Sequence, residues 1–273
     1  MLHILNTMIA MILFFQIASV IAVVVMVAVV GWLFSILLKD SSLADVYWGI
    51  YFILIAVVLY FQSPVHNSIQ NIDLILIILW GTRLAIHIAL RKVNKPEDFR
   101  YSNWRNQWGK NFLWKNLLQN YLLQALFAII ISSSTLVIFF NQDSASTIHW
   151  WQYIAILIWI KGFIYEFISD HQLTRFMKLR KSNKEVLKSG LWKYSRHPNY
   201  FGEIVQWLGL WILTIGLKYY LFAIISPLLI SYLIVFVSGI PLLEKRFSNN
   251  PDYKEYMRYT PSLIPFFKRK SIL

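Results

Sequence analysis

The chain has 273 residues, 58% of them hydrophobic, and it carries a formal net charge of +13 with no cysteine. Soluble domains contain about 45–50% apolar residues, and here the excess is concentrated in long runs, which indicates an integral membrane protein. The absence of cysteine excludes a disulfide scaffold and any metal site with cysteine ligands. The cations lie in loops between the apolar runs, which argues against nucleic acid as a partner and favours membrane lipids and a phosphorylated ligand.

Seven apolar segments are candidate membrane spans, since a span needs about 20 residues. They are 8–38, 46–63, 71–91, 117–140, 149–169, 202–217 and 219–241. The first is longer than a signal-peptide core of about 7–15 residues, so we expect it to be retained. The last two meet at Leu217-Lys218, which predicts a tight helical hairpin. We therefore expect an all-α polytopic membrane protein with one domain over 1–273.

Loop charge predicts the orientation of these spans. Lys and Arg concentrate in the loops 92–116 and 170–201 and in the tail 242–273, whereas the loops 64–70 and 141–148 contain neither. Because cytoplasmic loops carry the excess of Lys and Arg, we expect an external N-terminus and a cytoplasmic C-terminus. The cations of the tail are Lys245, Arg246, Lys254, Arg258, Lys268, Arg269 and Lys270.

The segment 99–116 mixes aromatic and cationic side chains. Trp104 and Trp108 are four residues apart and therefore share one face of a helix. The pattern predicts an interfacial helix on the cytoplasmic surface, with its aromatic side chains as membrane anchors.

Ionisable residues within the predicted spans lie near the cytoplasmic ends. Arg83, His87 and Arg91 are spaced by four on the third span, which places them on one face. The carboxylates that could meet them from spans two, five and six are Asp45, Glu166, Asp170 and Glu203. Such groups usually face the bundle interior. They form either buried ion pairs that hold the helices in register or a polar pocket, and their clustering at one end favours a pocket.

The most polar stretch at a predicted membrane boundary runs from Gly190 to Glu203, with the sequence Gly-Leu-Trp-Lys-Tyr-Ser-Arg-His-Pro-Asn-Tyr-Phe-Gly-Glu. It has no Gly-x-Gly-x-x-Gly or P-loop pattern, and no His-Glu-x-x-His motif occurs in the chain. The histidines do not cluster as a membrane di-iron site requires. We therefore expect no metal, and a nucleotide would have to bind through Arg, Lys, Asn and Tyr side chains in loops.

The chain resembles the steroid 5α-reductase superfamily, most closely its uncharacterised bacterial branch. The resemblance extends from about Asp45 to Phe267. Besides the block from Gly190 to Glu203, it is carried by Trp80-Gly-Thr-Arg-Leu84, Glu97-Asp-Phe-Arg-Tyr101, Asp170-His-Gln172, Tyr253, Tyr256 and Ile264-Pro-Phe266. It implies seven helices, a cytoplasmic NADPH site and reduction of a carbon–carbon double bond conjugated to a ketone. The implied substrate is lipophilic and steroid-like or isoprenoid, and the implied location is the bacterial inner membrane.

The resemblance also implies roles for single residues. The family's cofactor-binding asparagine and glutamate fall on Asn199 and Glu203, its helix-five aspartate falls on Asp170, and its helix-three arginine falls on Arg83. Arg91 lies one residue away from a further basic position. The other cofactor-binding candidates, in or beside the matching blocks, are Arg196, His197, Tyr200 and Tyr256. The three basic segments would attract the phosphates of NADPH.

One departure from the family concerns the group that polarises the substrate ketone. The family has a tyrosine three residues before the helix-three arginine, and this chain has Trp80. An indole N–H can donate a hydrogen bond but does not release its proton at neutral pH. Asp45, Tyr47 and His87 are the alternative catalytic candidates by position.

A second enzyme class shares part of the pattern. Arg196-His-Pro-x-Tyr-x-Gly202 also resembles isoprenylcysteine carboxyl methyltransferases and phospholipid methyltransferases, which bind S-adenosylmethionine. Those enzymes usually have a Glu-Glu pair after the next helix, where this chain has Glu244-Lys245. Glu203 and the Trp80 to Leu84 block favour the reductase. A non-catalytic membrane protein of the same fold is the third alternative.

Overall fold

The computed structural model describes residues 2–93, 95–141, 147–182 and 184–266, and within these ranges the chain is helical with no β-strand. The all-α prediction is confirmed. The tail cations Lys268, Arg269 and Lys270, and the end of the resemblance at Phe267, lie outside the described residues.

The described ranges contain twelve α-helices. They are α1 (Leu2–Leu37), α2 (Ala44–Gln62), α3 (Ser68–Lys92), α4 (Phe99–Trp108), α5 (Phe112–Asn116), α6 (Leu123–Ile131), α7 (Ser133–Phe140), α8 (Trp150–Leu179), α9 (Pro198–Leu213), α10 (Ile225–Tyr232), α11 (Ile240–Phe247) and α12 (Pro251–Tyr259). A π-helical segment over Leu117–Leu122 joins α5 to α6, and a 3-10 turn over Gly190–Lys193 precedes α9.

The helices group into two compact units. Unit 1 comprises Met1–Ile148 and Gly216–Ala223, and unit 2 comprises His149–Ile215 and Ile224–Leu273. Unit 1 therefore holds α1 to α7, and unit 2 holds α8 to α12. Each unit is described by itself below.

In unit 1, α2 and α3 approach closely because each presents a glycine where they cross. A Cβ on Gly49 would lie 2.6 Å from the carbonyl oxygen of Gly81, so neither position has room for a side chain. Phe52 and Trp80 complete the contact edge to face, with ring centroids 5.2 Å apart. This packing fixes the indole of Trp80 inside the unit, where the side chain is buried.

The predicted fourth span of unit 1 is bent. α6 and α7 meet at an angle of 50° around Ser132. The Ser132 hydroxyl donates to the carbonyl of Ala128 at 2.8 Å, a bond from side chain to backbone that often accompanies bends in helices.

In unit 2, α8 and α9 also pack closely through glycines. A Cβ on Gly202 would lie 2.6 Å from the Glu166 backbone nitrogen, and one on Gly162 would lie 2.7 Å from the Gly202 carbonyl oxygen. Pro198 occupies the first turn of α9, where its missing N–H has no helical partner to lose. The close approach brings the polar side chains of both helices together.

Among the described residues, five helical segments are long and apolar enough to cross a membrane, or six if the bent pair is one span. The sixth predicted span, 202–217, overlaps α9, which has 16 residues and ends at Leu213. It is shorter than the roughly 20 residues that a straight span needs. The count of seven spans and the sides of the two termini therefore stay predictions.

The shared face of the two tryptophans at the predicted interface is confirmed. The rings of Trp104 and Trp108 stack along α4, with centroids 5.6 Å apart and an interplanar angle of 1°.

Candidate functional site

The block from Gly190 to Glu203 starts with a turn that is tied to the end of α8. Gly190 has a φ of +63°, a left-handed conformation that favours glycine, and it lies against the side-chain amide of Gln172. The Leu191 N–H donates to the same oxygen at 2.9 Å. The Trp192 indole N–H donates to the Ser169 carbonyl at 3.1 Å. The block is thereby held beside Asp170.

The C-terminal segment holds the middle of the block. The Arg196 guanidinium donates to Glu244 Oε1 through Nε at 2.9 Å and to the Thr260 carbonyl through Nη1 at 2.6 Å. Its backbone N–H donates to the Pro261 carbonyl at 2.9 Å. The Tyr256 hydroxyl donates to the carbonyls of Trp192 and Ser195. Arg196 and Tyr256, both predicted to bind the cofactor, thus already position the block.

The two buried phenols of α12, Tyr253 and Tyr256, stay uncharged over the physiological pH range. Burial raises the pKa of Tyr253 to about 12. Burial likewise raises the pKa of Tyr256 well above its usual value. Both hydroxyls therefore keep the proton that a hydrogen-bond donor needs.

His197 and Tyr200 lie at the start of α9. Their rings stack with centroids 5.6 Å apart. His197 Nε2 lies 3.4 Å from Glu244 Oε1. His197 Nδ1 is buried and has no hydrogen-bond partner among the described residues. One ring nitrogen of His197 is therefore uncommitted.

A stripe of polar side chains follows on the facing sides of α8 and α9. The Asn199 amide donates to Asp170 Oδ1 at 3.1 Å. About two turns further along α9, the Gln206 amide donates to Glu166 Oε2 at 2.7 Å. Glu203 lies between the two on α9 and is 7% exposed. We define these five residues as the α8–α9 polar stripe.

The polar stripe contains one pair that was not among the predicted cofactor-binding or catalytic residues. Glu166 and Gln206 lie one turn from Asp170 and Glu203, and that spacing was the available signal. Asn199 Oδ1 and Gln206 Oε1 are buried without a hydrogen-bond partner among the described residues. The stripe thus has acceptors that its own bonds do not use.

The catalytic candidates of unit 1 occupy different surroundings. Asp45 accepts from Arg100 at 2.5 Å and from the Tyr101 hydroxyl at 2.8 Å. The Tyr47 ring packs between those of Tyr51 and Tyr121, with centroids 6.2 and 6.1 Å away. Asp45 is therefore an acceptor in a salt bridge, whereas Tyr47 belongs to an aromatic cluster.

The remaining unit 1 candidates lie on α3. Trp80 is buried, Arg83 and His87 are half-buried, and Arg91 is exposed near the end of the helix. The spacing of four between Arg83, His87 and Arg91 holds along α3, since Ser68–Lys92 is one continuous helix.

Half of the cations in the segment 92–116 are neutralised within unit 1. Lys92 pairs with Asp40, Arg100 with Asp45 and Asp98, and Arg105 with Glu97. Burial acts to raise the pKa of Asp40, but hydrogen bonds from Lys92 and Ser42 outweigh it and hold that pKa below the usual value. The same balance, with Arg100 as the partner, lowers the pKa of Asp98. This segment is therefore less available to phosphate than its composition indicates.

The structure brings together the site residues that lie in unit 2. They are Asp170, Arg196, His197, Asn199, Tyr200, Glu203 and Tyr256. The predicted residues of unit 1 are Asp45, Tyr47, Trp80, Arg83, His87 and Arg91. Among the described residues, no three His, Asp or Glu side chains converge to hold a metal ion.

Comparisons with known proteins give partial matches to steroid reductases. The chain is 32% identical to the Arabidopsis thaliana steroid 5-alpha-reductase DET2 over 66 residues, which is 24% of this chain and 25% of that protein. It is 30% identical to the Mus musculus 3-oxo-5-alpha-steroid 4-dehydrogenase 1 over 69 residues, 25% of this chain and 27% of that protein. The Macaca fascicularis protein of the same name is 28% identical over 113 residues, 41% of this chain and 40% of that protein.

These matches span a quarter to two fifths of the relatives' length, and none of the three is a methyltransferase. No solved structure matches the chain significantly.

One family model covers most of the chain. The model described as "Protein of unknown function (DUF1295)" matches residues 31–260. That range includes the polar stripe, Arg196 and Tyr256. The chain therefore belongs to the DUF1295 family, a family that resembles the steroid 5α-reductases.

Proposed function

We propose that this protein is an NADPH-dependent membrane reductase of a carbon–carbon double bond conjugated to a ketone, acting on a lipophilic, steroid-like or isoprenoid substrate. The observation that carries the proposal is the α8–α9 polar stripe, in which Asp170 and Asn199 are joined at 3.1 Å beside buried Glu203. These are the positions that the resemblance to steroid 5α-reductases assigns to the cofactor. Polar groups buried between apolar helices cost free energy unless they bind something.

The stripe suits a ligand that brings N–H or O–H donors. Within the stripe, Asn199 Oδ1 is a buried acceptor without a partner among the described residues. Close by in the chain, His197 Nδ1 is also buried without such a partner, and it accepts a hydrogen bond in one tautomer of the ring. The carboxamide of a nicotinamide has two N–H donors, and Asn199 Oδ1 can accept a hydrogen bond from such a group. Asp170 would keep the Asn199 amide oriented, because its carboxylate accepts the hydrogen bond from the NH2 group of that amide.

The phosphates of NADPH would meet the cations of the segment 170–201. Arg175, Lys178 and Lys181 are exposed and form no ion pair with described residues. By contrast, Lys92, Arg100 and Arg105 of the other basic loop are paired with carboxylates. We therefore propose that the exposed cations of unit 2 bind the 2′-phosphate and so favour NADPH over NADH.

The residues of this chain would orient and polarise the reactants. NADPH, when bound, supplies the hydride that the β-carbon of the enone receives. A donor near the ketone must stabilise the negative charge that develops on its oxygen. Asp45 already accepts two hydrogen bonds, so it is a poor donor. Tyr47, two residues after Asp45 on α2, has a phenol proton, and we assign it the donor role.

Cofactor binding by the purified protein in detergent tests this proposal. NADPH should raise the thermal midpoint, NADH should raise it less, and S-adenosylmethionine should leave it unchanged. Glu203→Gln and Asn199→Ala should each weaken NADPH binding by about tenfold or more, equivalent to about 1.4 kcal/mol. Glu255→Gln, at an exposed surface position, is the matched control.

Two outcomes would contradict the proposal. A thermal shift with S-adenosylmethionine alone would identify the other enzyme class, which the comparisons do not support. Unchanged NADPH binding in both stripe variants would place the cofactor elsewhere. Tyr47→Phe should reduce turnover of an enone while leaving NADPH binding intact, and unchanged turnover would remove Tyr47 from the mechanism.

A further inference from the structure

Lys161 is a charged side chain exposed in the middle of a predicted span. It lies on α8, on the face with the exposed apolar residues Ile154, Leu157, Ile164 and Ile168. The opposite face of α8 packs on α9 through Gly162. Lys161 forms no ion pair or hydrogen bond with the described residues. Its charge is therefore unbalanced within the described chain.

The position of Lys161 along α8 places it far from both membrane surfaces. α8 begins at Trp150 and Trp151, and tryptophans gather at membrane–water interfaces. Lys161 is eleven positions after Trp150, which corresponds to about 17 Å along the helix. The hydrocarbon core is about 30 Å thick, so Lys161 lies near its midplane. A lysine near a helix end can extend its amine to the interface, but from this depth the distance is too great.

A lysine at this depth usually faces a protein or a polar cavity rather than lipid. Anionic lipid headgroups lie at the interface, about 15 Å from the midplane, and cannot reach it. A partner for the charged form of Lys161 therefore has to be carried into the core by a spanning segment. Carboxylates and other polar side chains on neighbouring helices perform this role in membrane proteins.

A second copy of this chain fits poorly. In a two-fold dimer the same face meets itself, which would bring two Lys161 side chains together. Among the described candidate spans no carboxylate is exposed. Asp45 and Glu244 are half-buried and already hold arginines. The remaining carboxylates, all buried, are Asp73, Glu166 and Asp170.

We propose that the α8 face formed by Ile154, Leu157, Lys161, Ile164 and Ile168 is a docking surface for a transmembrane helix of another protein that carries a carboxylate near its centre. The apolar residues would pack against that helix, and Lys161 would pair with the carboxylate. This surface is independent of the polar stripe, because the stripe lies on the side of α8 that faces α9.

The test uses the full chain in lipid nanodiscs and a synthetic leucine–alanine peptide of about 20 residues with one central Asp. Fluorescence transfer between labelled protein and peptide measures binding. The Asp peptide should bind at least about tenfold more tightly than a peptide with Leu at that position, or about 1.4 kcal/mol. Lys161→Met should abolish the difference, whereas Ile164→Met, on the same face, should preserve it.

Three results would overturn the proposal. The first is equal binding of the Asp and Leu peptides. The second is an unchanged difference in affinity between the two peptides in Lys161→Met. The third is a wild-type dimer that Lys161→Met converts to a monomer while the Asp peptide has no effect. The last result would identify a second copy as the occupant. Thermal midpoints of both variants should match that of the wild type, because both positions are exposed.

Discussion

Asn199 donates its side-chain amide to the carboxylate of Asp170 at 3.1 Å, which joins the first turn of α9 to α8. The bond depends on the close approach of the two helices at Gly162 and Gly202. It also fixes which end of the Asn199 amide points away from α8, so the amide oxygen remains as an acceptor. This single contact thus links the helix packing of unit 2 to the recognition chemistry that we propose.

Exchanging the side chains of Asp170 and Asn199 should show whether the two residues interact directly. Asn199→Asp places a second carboxylate beside Asp170, and the repulsion should lower the stability of unit 2 by about 1–3 kcal/mol and abolish NADPH binding. The double variant Asp170→Asn with Asn199→Asp restores one donor and one acceptor. Its thermal midpoint should recover most of the loss. Equal midpoints for the single and double variants would contradict a direct interaction.

Arg196 should behave as a positioning residue. Its guanidinium bonds Glu244 and two carbonyls of the C-terminal segment. Arg196→Lys cannot reproduce this fork and should destabilise the protein by about 1–3 kcal/mol, because it leaves buried carbonyl groups without a donor. Hydrogen exchange in residues 256–266 should rise at the same time. Lys178→Ala, at an exposed cation, should leave both measurements unchanged. A loss of NADPH binding with normal stability would instead make Arg196 a cofactor ligand.

The glycine at position 202 should not tolerate a methyl group. A Cβ there meets the backbone nitrogen of Glu166 at 2.6 Å, so Gly202→Ala must push α8 and α9 apart. Overpacking of this kind costs about 1–3 kcal/mol. The midpoint of thermal unfolding should fall, and NADPH binding should weaken because Asn199 moves away from Asp170. Leu208→Ala, at an exposed position of α9, should have a much smaller effect; a comparable one would show that the helix spacing does not matter.

Acid should loosen the contact between the start of α2 and the segment after α3. The pKa of Asp40 and that of Asp98 are both below the usual carboxyl value of 3.8, because Lys92 and Arg100 stabilise the charged forms. A lowered pKa in the folded state contributes stability that is present above the unfolded value and lost as the pH falls through the folded value. The wild type should therefore keep this contribution at pH 6 and lose it below about pH 4.

The matched variant for this pH effect is Asp40→Asn. It lacks the charge at every pH, so its thermal midpoint should be lower than that of the wild type at pH 6, and the difference should shrink as the pH falls below about 4. Parallel curves for the two proteins between pH 6 and pH 3 would rule out this linkage.

Local patterns predicted the helical elements well. Long apolar runs have no other stable form in a bilayer, because every backbone group must find a partner within its own helix. The spacing of four in Trp104 and Trp108 correctly predicted a shared face, since helix geometry alone determines it. Local patterns did not determine the number of membrane spans. α9 ends at Leu213 and the fourth span bends at Ser132, and both features depend on packing and local hydrogen bonds.

The sequence by itself determined that the protein is helical and apolar, and it identified the block from Gly190 to Glu203 with Asp170 as the candidate site. Only the tertiary structure decided how those polar groups are used. Arg196 was predicted to bind the cofactor and Lys92 was counted in a basic loop, yet each is paired with a carboxylate far away in the chain. Glu166 and Gln206 proved to be partners, and Lys161 proved to be exposed. The physical reason is that charge and periodicity are local, whereas pairing and burial depend on which helices meet and on the glycines that let them approach.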